Sequence, residues 1–349
     1  MATVDPLLIE TIEALLGDHC TPERVGAAEG GVDAKLWAAL TESGLAAVGV
    51  SETAGGSGGT LHDAAAIAKA AGRFAAPVPV TETSLIGGWV CQQAGIPLPE
   101  GPLAVVIAAG AGTGAGADGG FAAAKVPWAP VAANLVLVTD GGVAVVDPAS
   151  VTLLPGTNYA GEPCADVAGT QPAAGSLHPG PSPSAVRARG ALARSLLMAG
   201  ALQQAVDLSV QYANEREQFG RPIGKFQVIQ NYLAEIAGEA AVAEAAADNA
   251  VDVLAAGAGV QDTGRIVGAA KAVTGRAAGI VNRIAHQIHG AIGFTDEHRL
   301  QYTTRRLWSW RDEYGTDAQW ATVLGTSLCR SGGADLWPTL TSWPPAEAG

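Results

Sequence analysis

Apolar residues recur at helical spacing over residues 6 to 95. Leu7, Leu8, Ile12, Leu15 and Leu16 share one face, and Leu36, Leu40 and Leu45 repeat the pattern. His62 to Phe74 reads as a further helix with Ile67 on its apolar side, and His62 as a surface residue with no chemistry. The G-G-S-G-G run at 55–59 is a loop, and Pro77 and Pro79 end the helical stretch. The period then changes. Leu103 to Ile107, Phe121 to Val126, Asn134 to Thr139 and Gly142 to Val146 are short β-type runs, with Asp140–Gly141 marking a turn. Pro155 to Pro183 is rich in Gly, Pro and Ser, with room for one or two short strands. From Ser184, taken as a helix N-cap, the helical period returns, with Leu192, Leu196, Leu202, Val206 and Val210 as its first stripe. Further helices are predicted over Phe226 to Ala256, Asp262 to His289, Glu297 to Glu313 and Thr316 to Cys329. Long helices with short connections predict an antiparallel bundle. The pattern therefore predicts an α+β chain. A helical domain (1–98) precedes a small middle β domain (99–180), built of antiparallel strands, and a C-terminal helix bundle (181–349).

Composition narrows the function classes. A chain of 349 residues is too long for one hydrophobic core, and 48% hydrophobic with 15% charged residues describes a well-buried globular protein. The net charge of −13 and the lack of a basic patch argue against a nucleic-acid surface. Cys20, Cys91, Cys164 and Cys329 lie far apart, with neither metal-ligand spacing nor a disulfide pattern, so no metal site is expected. Asp5 and Glu10 stand where a secretory signal would be basic, and the uncharged run Gly101 to Ala117 is too glycine-rich for a membrane span. A cytoplasmic protein without membrane contact is expected. Gly112–Thr113–Gly114 approximates a dinucleotide fingerprint, but Asp118–Gly119–Gly120 stands where its helix must begin. The stretch after Gly332, rich in Pro and Trp, reads as a partner-facing arm.

The chemistry concentrates in Arg216 to Tyr232, R-E-Q-F-G-R-P-I-G-K-F-Q-V-I-Q-N-Y, between two long helices. Gly220 and Gly224 permit backbone shapes closed to other residues, and Pro222 stiffens the turn. Arg216 sits at a helix end beside Phe219, where a guanidinium clamps a phosphate through parallel hydrogen bonds. Taken alone, it reads equally well as a cation favoured by the helix dipole.

Three segments resemble the acyl-CoA dehydrogenases. R-E-Q-F-G-R-P-I-G-K-F-Q is similar to that family's flavin-contacting helix–loop–helix. Gln287 to Thr295, Q-I-H-G-A-I-G-F-T, followed by Glu297, resembles its Q-x-x-G-G-x-G-F-T segment. Trp37 to Gly59 resembles its first-domain signature. The resemblance implies the same α, β, α layout and flavin-dependent α,β-dehydrogenation of an acyl-CoA in fatty acid or sterol side-chain degradation. It also implies FAD as cofactor, an electron-transfer flavoprotein or similar acceptor, and a homo- or hetero-oligomer. By resemblance, Arg216, Phe219 and Gln287 contact a flavin held mainly by a neighbouring subunit, and Gln218, Gly290 and Gly293 are further cofactor-binding positions. The family's own-subunit T-E-P-x-x-G-S-D segment is missing, and its W-I-T segment is replaced by Lys125–Val126–Pro127–Trp128–Ala129, leaving Trp128 as a ring contact. The family's base precedes a Gly-Thr. Here Tyr314 holds that place before Gly315–Thr316, so Glu313, one residue earlier, is the candidate base and Thr316 a cofactor contact. Apolar Trp308 and Trp310 are expected to desolvate Glu313. Two readings follow: a catalytic chain acting alone or within a heteromeric complex, and a non-catalytic subunit lending FAD contacts to a catalytic partner.

Overall fold

The computed structural model describes residues 4–108, 120–257 and 259–330. The glycine stretch at 112–114 and the arm after Gly332 lie outside them. The N-terminal part is helical: α1 (Pro6–His19), α2 (Pro22–Ala27), α3 (Ala34–Glu42) and α4 (Leu61–Arg73). Each begins where a side chain satisfies orphan backbone donors. Asp5, Thr21 and Asp33 cap the first three, and Thr60 with Asp63 forms a reciprocal capping box on α4. Ile12, Leu16, Leu36, Leu40 and Ile67 are buried, as their spacing predicts. The chain stays helical past the prolines, through a wholly buried π-helical turn, Glu82–Gly88, and α5 (Trp89–Gln93).

Six strands follow: β1 (Leu103–Ile107), β2 (Gly120–Pro127), β3 (Asn134–Thr139), β4 (Gly142–Val146), β5 (Thr152–Thr157) and β6 (Pro163–Thr170). They form two three-stranded sheets, β1-β3-β4 and β2-β6-β5. The expectation of a purely antiparallel domain is corrected in one place: β1 and β3 pair in parallel. The intervening β2 belongs to the other sheet, so β1 and β3 are joined by a crossover rather than a hairpin. The first sheet is buried on both faces. Ala104, Val106, Leu135 and Leu137 meet Phe121, Ala165 and Val167 of the second sheet, while Leu103, Val105, Val136 and Val138 join the helical core. That explains why β1 and β3 read as unbroken apolar runs. β6, in a segment that reads mostly as loop, is the central strand of its sheet.

The last part comprises α6 (Pro183–Glu215), α7 (Gln227–Ala255), α8 (Val260–His289), α9 (Leu300–Asp312) and α10 (Asp317–Arg330). The N-cap of α6 is Ser182, not Ser184: Ser182 Oγ accepts from the Ala185 amide and Pro183 takes the first helical position. α6 is surrounded by α4, α7, α8 and α9, so apolar or small residues line it on every side. Its approach to α4 is set by glycine: a Cβ at Gly200 would lie 1.9 Å from the Lys69 carbonyl oxygen, and one at Gly72 2.0 Å from that of Leu197. No described helix is long and apolar enough to cross a membrane.

Candidate functional site

α6 ends at Arg216, whose backbone is extended and whose amide still donates to the Tyr212 carbonyl at 2.8 Å. A two-residue hairpin follows, pairing Glu217 with Pro222 and Gln218 with Arg221. Its tip, Phe219–Gly220, has φ of +51° and +77°, as a type I′ turn requires. Glycine meets this without cost. Phe219 does not, and its ring is 92% exposed. Arg221 lies over Phe226, 4.4 Å from the ring centroid, which braces the hairpin from below.

A cleft of about 600 Å³ opens between this hairpin and the end of α8. Arg216, Gln218, Phe219, Gln287 and Gly290, named from two distant segments, all line it. The side chains of Arg216, Gln218 and Gln287 are exposed, and Arg216 makes no ion pair among the described residues. Gly290 has φ of +63° with open space where a Cβ would stand. Gly293 does not face the cleft. It is buried, and a Cβ there would lie 3.1 Å from His286, His289 and Leu300, so it is a packing glycine. The cleft floor is aromatic: His289 stacks on Tyr212 at 4.6 Å between centroids, and His298 meets both rings edge-on. Burial pushes His289 down to about 4, so the ring is neutral at neutral pH.

A second cleft, of about 490 Å³, lies where the sheets meet the bundle. Val105, Ile107 and Lys125–Pro127 form one wall, and Asn158, Tyr159, Ser309, Asp312, Glu313 and Tyr314 the other. It shares no residue with the first cleft. Glu313 stands at its edge but is held fast. Its Oε2 accepts from Arg194 Nε at 2.5 Å and its Oε1 from Asn158 Nδ2 at 3.0 Å. Arg194, only 1% exposed, also pairs with buried Glu82. The same Asn158 amide donates to Glu162 at 2.9 Å, and Glu162 is paired with Arg306 at 3.2 Å and accepts from Trp310 Nε1. The tryptophans therefore do not desolvate Glu313: Trp310 serves Glu162, and Trp308 is 41% exposed. Lys271, fully buried, donates to the carbonyls of Trp310 and Arg311 at the end of α9, and burial pushes it down to about 7.

Tyr314, in the position the resemblance assigns to the base, has φ of +54° and lays its ring on Gly190. Burial pushes its phenol well above the usual range. Thr316 caps α10: its hydroxyl accepts from the Gln319 amide and its own amide donates to Gln319 Oε1. Trp128 is 4% exposed and lines neither cleft. His62, read as a bare surface residue, is partly buried and bonded to Asp252 at 2.8 Å. Among the described residues no cluster of His, Cys, Asp and Glu is arranged to hold a metal ion. Sequence reasoning missed Arg194, Glu82, Glu162 and Lys271. For Arg194, Glu82 and Lys271 the signal is a charge set in a mostly apolar helical run, as Arg194 is between Leu192 and Leu196, whereas Glu162, in a Gly-Glu-Pro loop, carries no such signal.

A helical N-terminal part, a two-sheet middle and a long helical bundle are the layout of the acyl-CoA dehydrogenase fold class. Residues 6–96 match the family described as "Acyl-CoA dehydrogenase, N-terminal domain" and residues 187–321 that described as "Acyl-CoA dehydrogenase, C-terminal domain". The acyl-CoA dehydrogenase IpdE2 of Mycolicibacterium smegmatis is 30% identical over 311 residues, spanning 86% of this chain and 91% of the relative. The ChsE4-ChsE5 complex of Mycobacterium tuberculosis contains a chain that superposes with a TM-score of 0.83 at 21% identity, covering 94% of this chain and 98% of that one. A steroid acyl-CoA dehydrogenase, Tcur3481-Tcur3483, gives 0.78 at 22%, over 94% and 98%. This chain belongs to the acyl-CoA dehydrogenase family.

Proposed function

We propose that this chain is one subunit of a heteromeric acyl-CoA dehydrogenase, lending cofactor contacts to an FAD held by an unlike partner that carries the catalytic carboxylate. The observation that carries the reading is the separation of the two clefts. Arg216, Gln218, Phe219, Gln287 and Gly290 share one open cleft whose cation is unpaired among the described residues, while in the second cleft Glu313 is held by Arg194 and Asn158.

The first cleft fits the cofactor's pyrophosphate. Arg216 offers a forked donor, Gln218 and Gln287 neutral donors, and Gly290 an approach free of side chain. Phe219, exposed at a strained position, supplies an apolar face to the same ligand. The second cleft does not fit it. Asp312 and Glu313 present carboxylates, the Thr316 amide and hydroxyl are engaged in capping α10, and Trp128 is buried and does not line it. When bound by the partner, the flavin supplies the hydride acceptor for oxidation of the acyl-CoA. The electrons then pass to an electron-transfer flavoprotein or similar acceptor.

Glu313 is a poor candidate for the base in this geometry. Each of its oxygens already accepts a bond, one from buried Arg194 and one from Asn158, which fixes the carboxylate between α6 and the β5–β6 connection. Two of the similar structures are, by their descriptions, assemblies of two named chains, which accords with a partnered role. The test is co-purification. The chain alone is expected to be colourless, and the chain with its unlike partner to carry flavin absorbance. Stoichiometric flavin on the chain alone overturns the proposal.

A further inference from the structure

We infer that Arg194 and Tyr314 plug this chain's own acyl pocket from within, so that the acyl thioester enters only on the partner's side. The inference rests on the heteromeric reading above, but it concerns side chains that the cofactor loan does not use.

Glu313 and Tyr314 line the cleft between sheets and bundle, and Arg194 lies behind them, nearly without solvent contact. Its guanidinium sits 5.2 Å from the Tyr314 ring centroid, bonds Glu313 through Nε, and bonds Glu82 through Nη2. One side chain of α6 thus ties the N-terminal π-helical turn to the end of α9. Asn158, from the β5–β6 connection, joins the same knot by dividing its amide between Glu162 and Glu313. The inner end of the cleft is therefore a closed set of charges drawn from all three parts of the fold. An acyl chain needs the opposite, an apolar tunnel behind its thioester carbonyl. Withdrawing Arg194 to admit one would strand Glu82, 1% exposed, without a counterion.

Tyr314 completes the closure. Its left-handed backbone, followed by Gly315 at φ of +104°, folds the ring inward. Its Cδ1 takes the room a Cβ at Gly190 would need, which would stand only 2.2 Å away. The carbonyl of Tyr314 accepts from Arg187 and from Trp320, so the turn is fixed from its far side. A strained backbone held by several independent bonds is maintained for what its side chain does.

The test is equilibrium binding of octanoyl-CoA to the full chain purified alone, with circular dichroism confirming the fold. The wild-type chain is expected to show no binding at millimolar concentration. Tyr314→Ala, which removes the ring and keeps the ion pairs, is expected to gain at least tenfold in affinity. Arg194→Met combined with Glu82→Gln, which removes the guanidinium and the buried charge it serves, is expected to gain likewise. The pair of variants guards against one failing to fold. Wild-type binding as tight as that of the variants overturns the inference, and so does a folded variant that gains nothing. Neither result touches the cofactor loan, which is read separately from flavin occupancy of the assembled complex.

Discussion

At the scale of single residues, the proposed cofactor contact rests on Arg216 more than on its neighbours. Charge-assisted hydrogen bonds to a phosphate are worth about 1.5–3 kcal/mol, so Arg216→Ala is expected to weaken FAD binding by the complex roughly tenfold or more. Arg216→Lys should recover only part of this, because an ammonium lacks the planar fork. Flavin occupancy after gel filtration reads both, and unchanged occupancy removes Arg216 from the site. Arg216 is exposed and makes no ion pair among the described residues, so thermal stability should stay at the wild-type value. Lys271 is the contrasting case, a buried cation whose effect falls on stability. Its folded value, about 7, is below the ordinary 10.5, so between those values the unfolded chain holds more of this proton. Stability contributed through Lys271 therefore rises from pH 7 to pH 10, by an amount on the order of a few kcal/mol, and the penalty is complete below 7. Arg194, Glu313, Asp312 and Asp317 are the charged groups that face the same end of α9. Lys271→Met is expected to flatten the rise, seen as urea midpoints measured along the pH series. A rise of equal slope in the variant would assign it to other groups.

At the scale of elements, legibility in the sequence followed the simplicity of the local signal. The starts and stops of β1, β3 and β4 could be read from apolar runs bounded by turn residues, because each strand is short and buried on both faces. The parallel pairing of β1 with β3 could not, since it depends on β2 leaving for the second sheet. β6 was obscured by Pro and Gly on its flanks, although its Cys164, Ala165 and Val167 are buried as a central strand requires. The lining of the first cleft was legible because it comes from two compact segments, one with Arg216, Arg221, Gly220 and Gly224 and one with Gln287, Gly290 and Gly293. The Arg194–Glu82–Glu313 knot was not, because its members lie more than a hundred positions apart and only packing brings them together. Helix packing itself rests on small contacts of this kind. At the α4–α6 crossing, Gly72 and Gly200 let backbone meet backbone. Gly200→Ala is expected to cost about 3 kcal/mol, since no side-chain movement relieves a clash with a carbonyl oxygen. Gly238→Ala on exposed α7, with nothing near its Cβ, should instead be neutral or stabilising by up to about 1 kcal/mol. Denaturation of the two variants side by side checks the argument, and equal midpoints would sink it.

At the scale of the whole molecule, charge and strain are distributed between the two clefts in opposite senses. The first leaves a cation, two amides and a strained, exposed Phe219 facing outward, a cost with no return inside one chain. In the second, Glu313 is bonded to Arg194 and Asn158 rather than turned to a ligand. Such a division makes sense in an assembly where one chain completes a site that another begins. The decisive measurement is made on the assembled complex with Glu313→Gln. The substitution keeps the size of the side chain and its acceptor toward Arg194 or Asn158, but removes the carboxylate. If the partner carries the base, acyl-CoA oxidation with an artificial electron acceptor should continue at close to the wild-type rate with flavin content unchanged. Stability should nonetheless fall, because buried Arg194 loses one of its two counterions and keeps only Glu82. Removing one partner of a buried pair costs about 3–5 kcal/mol, and the remaining pair and the 16% exposure of Glu313 place the expected loss at the lower end. A structural role thus predicts lower stability with turnover intact. A catalytic role predicts turnover lost by several orders of magnitude with flavin still bound, and that outcome would return the base to this chain.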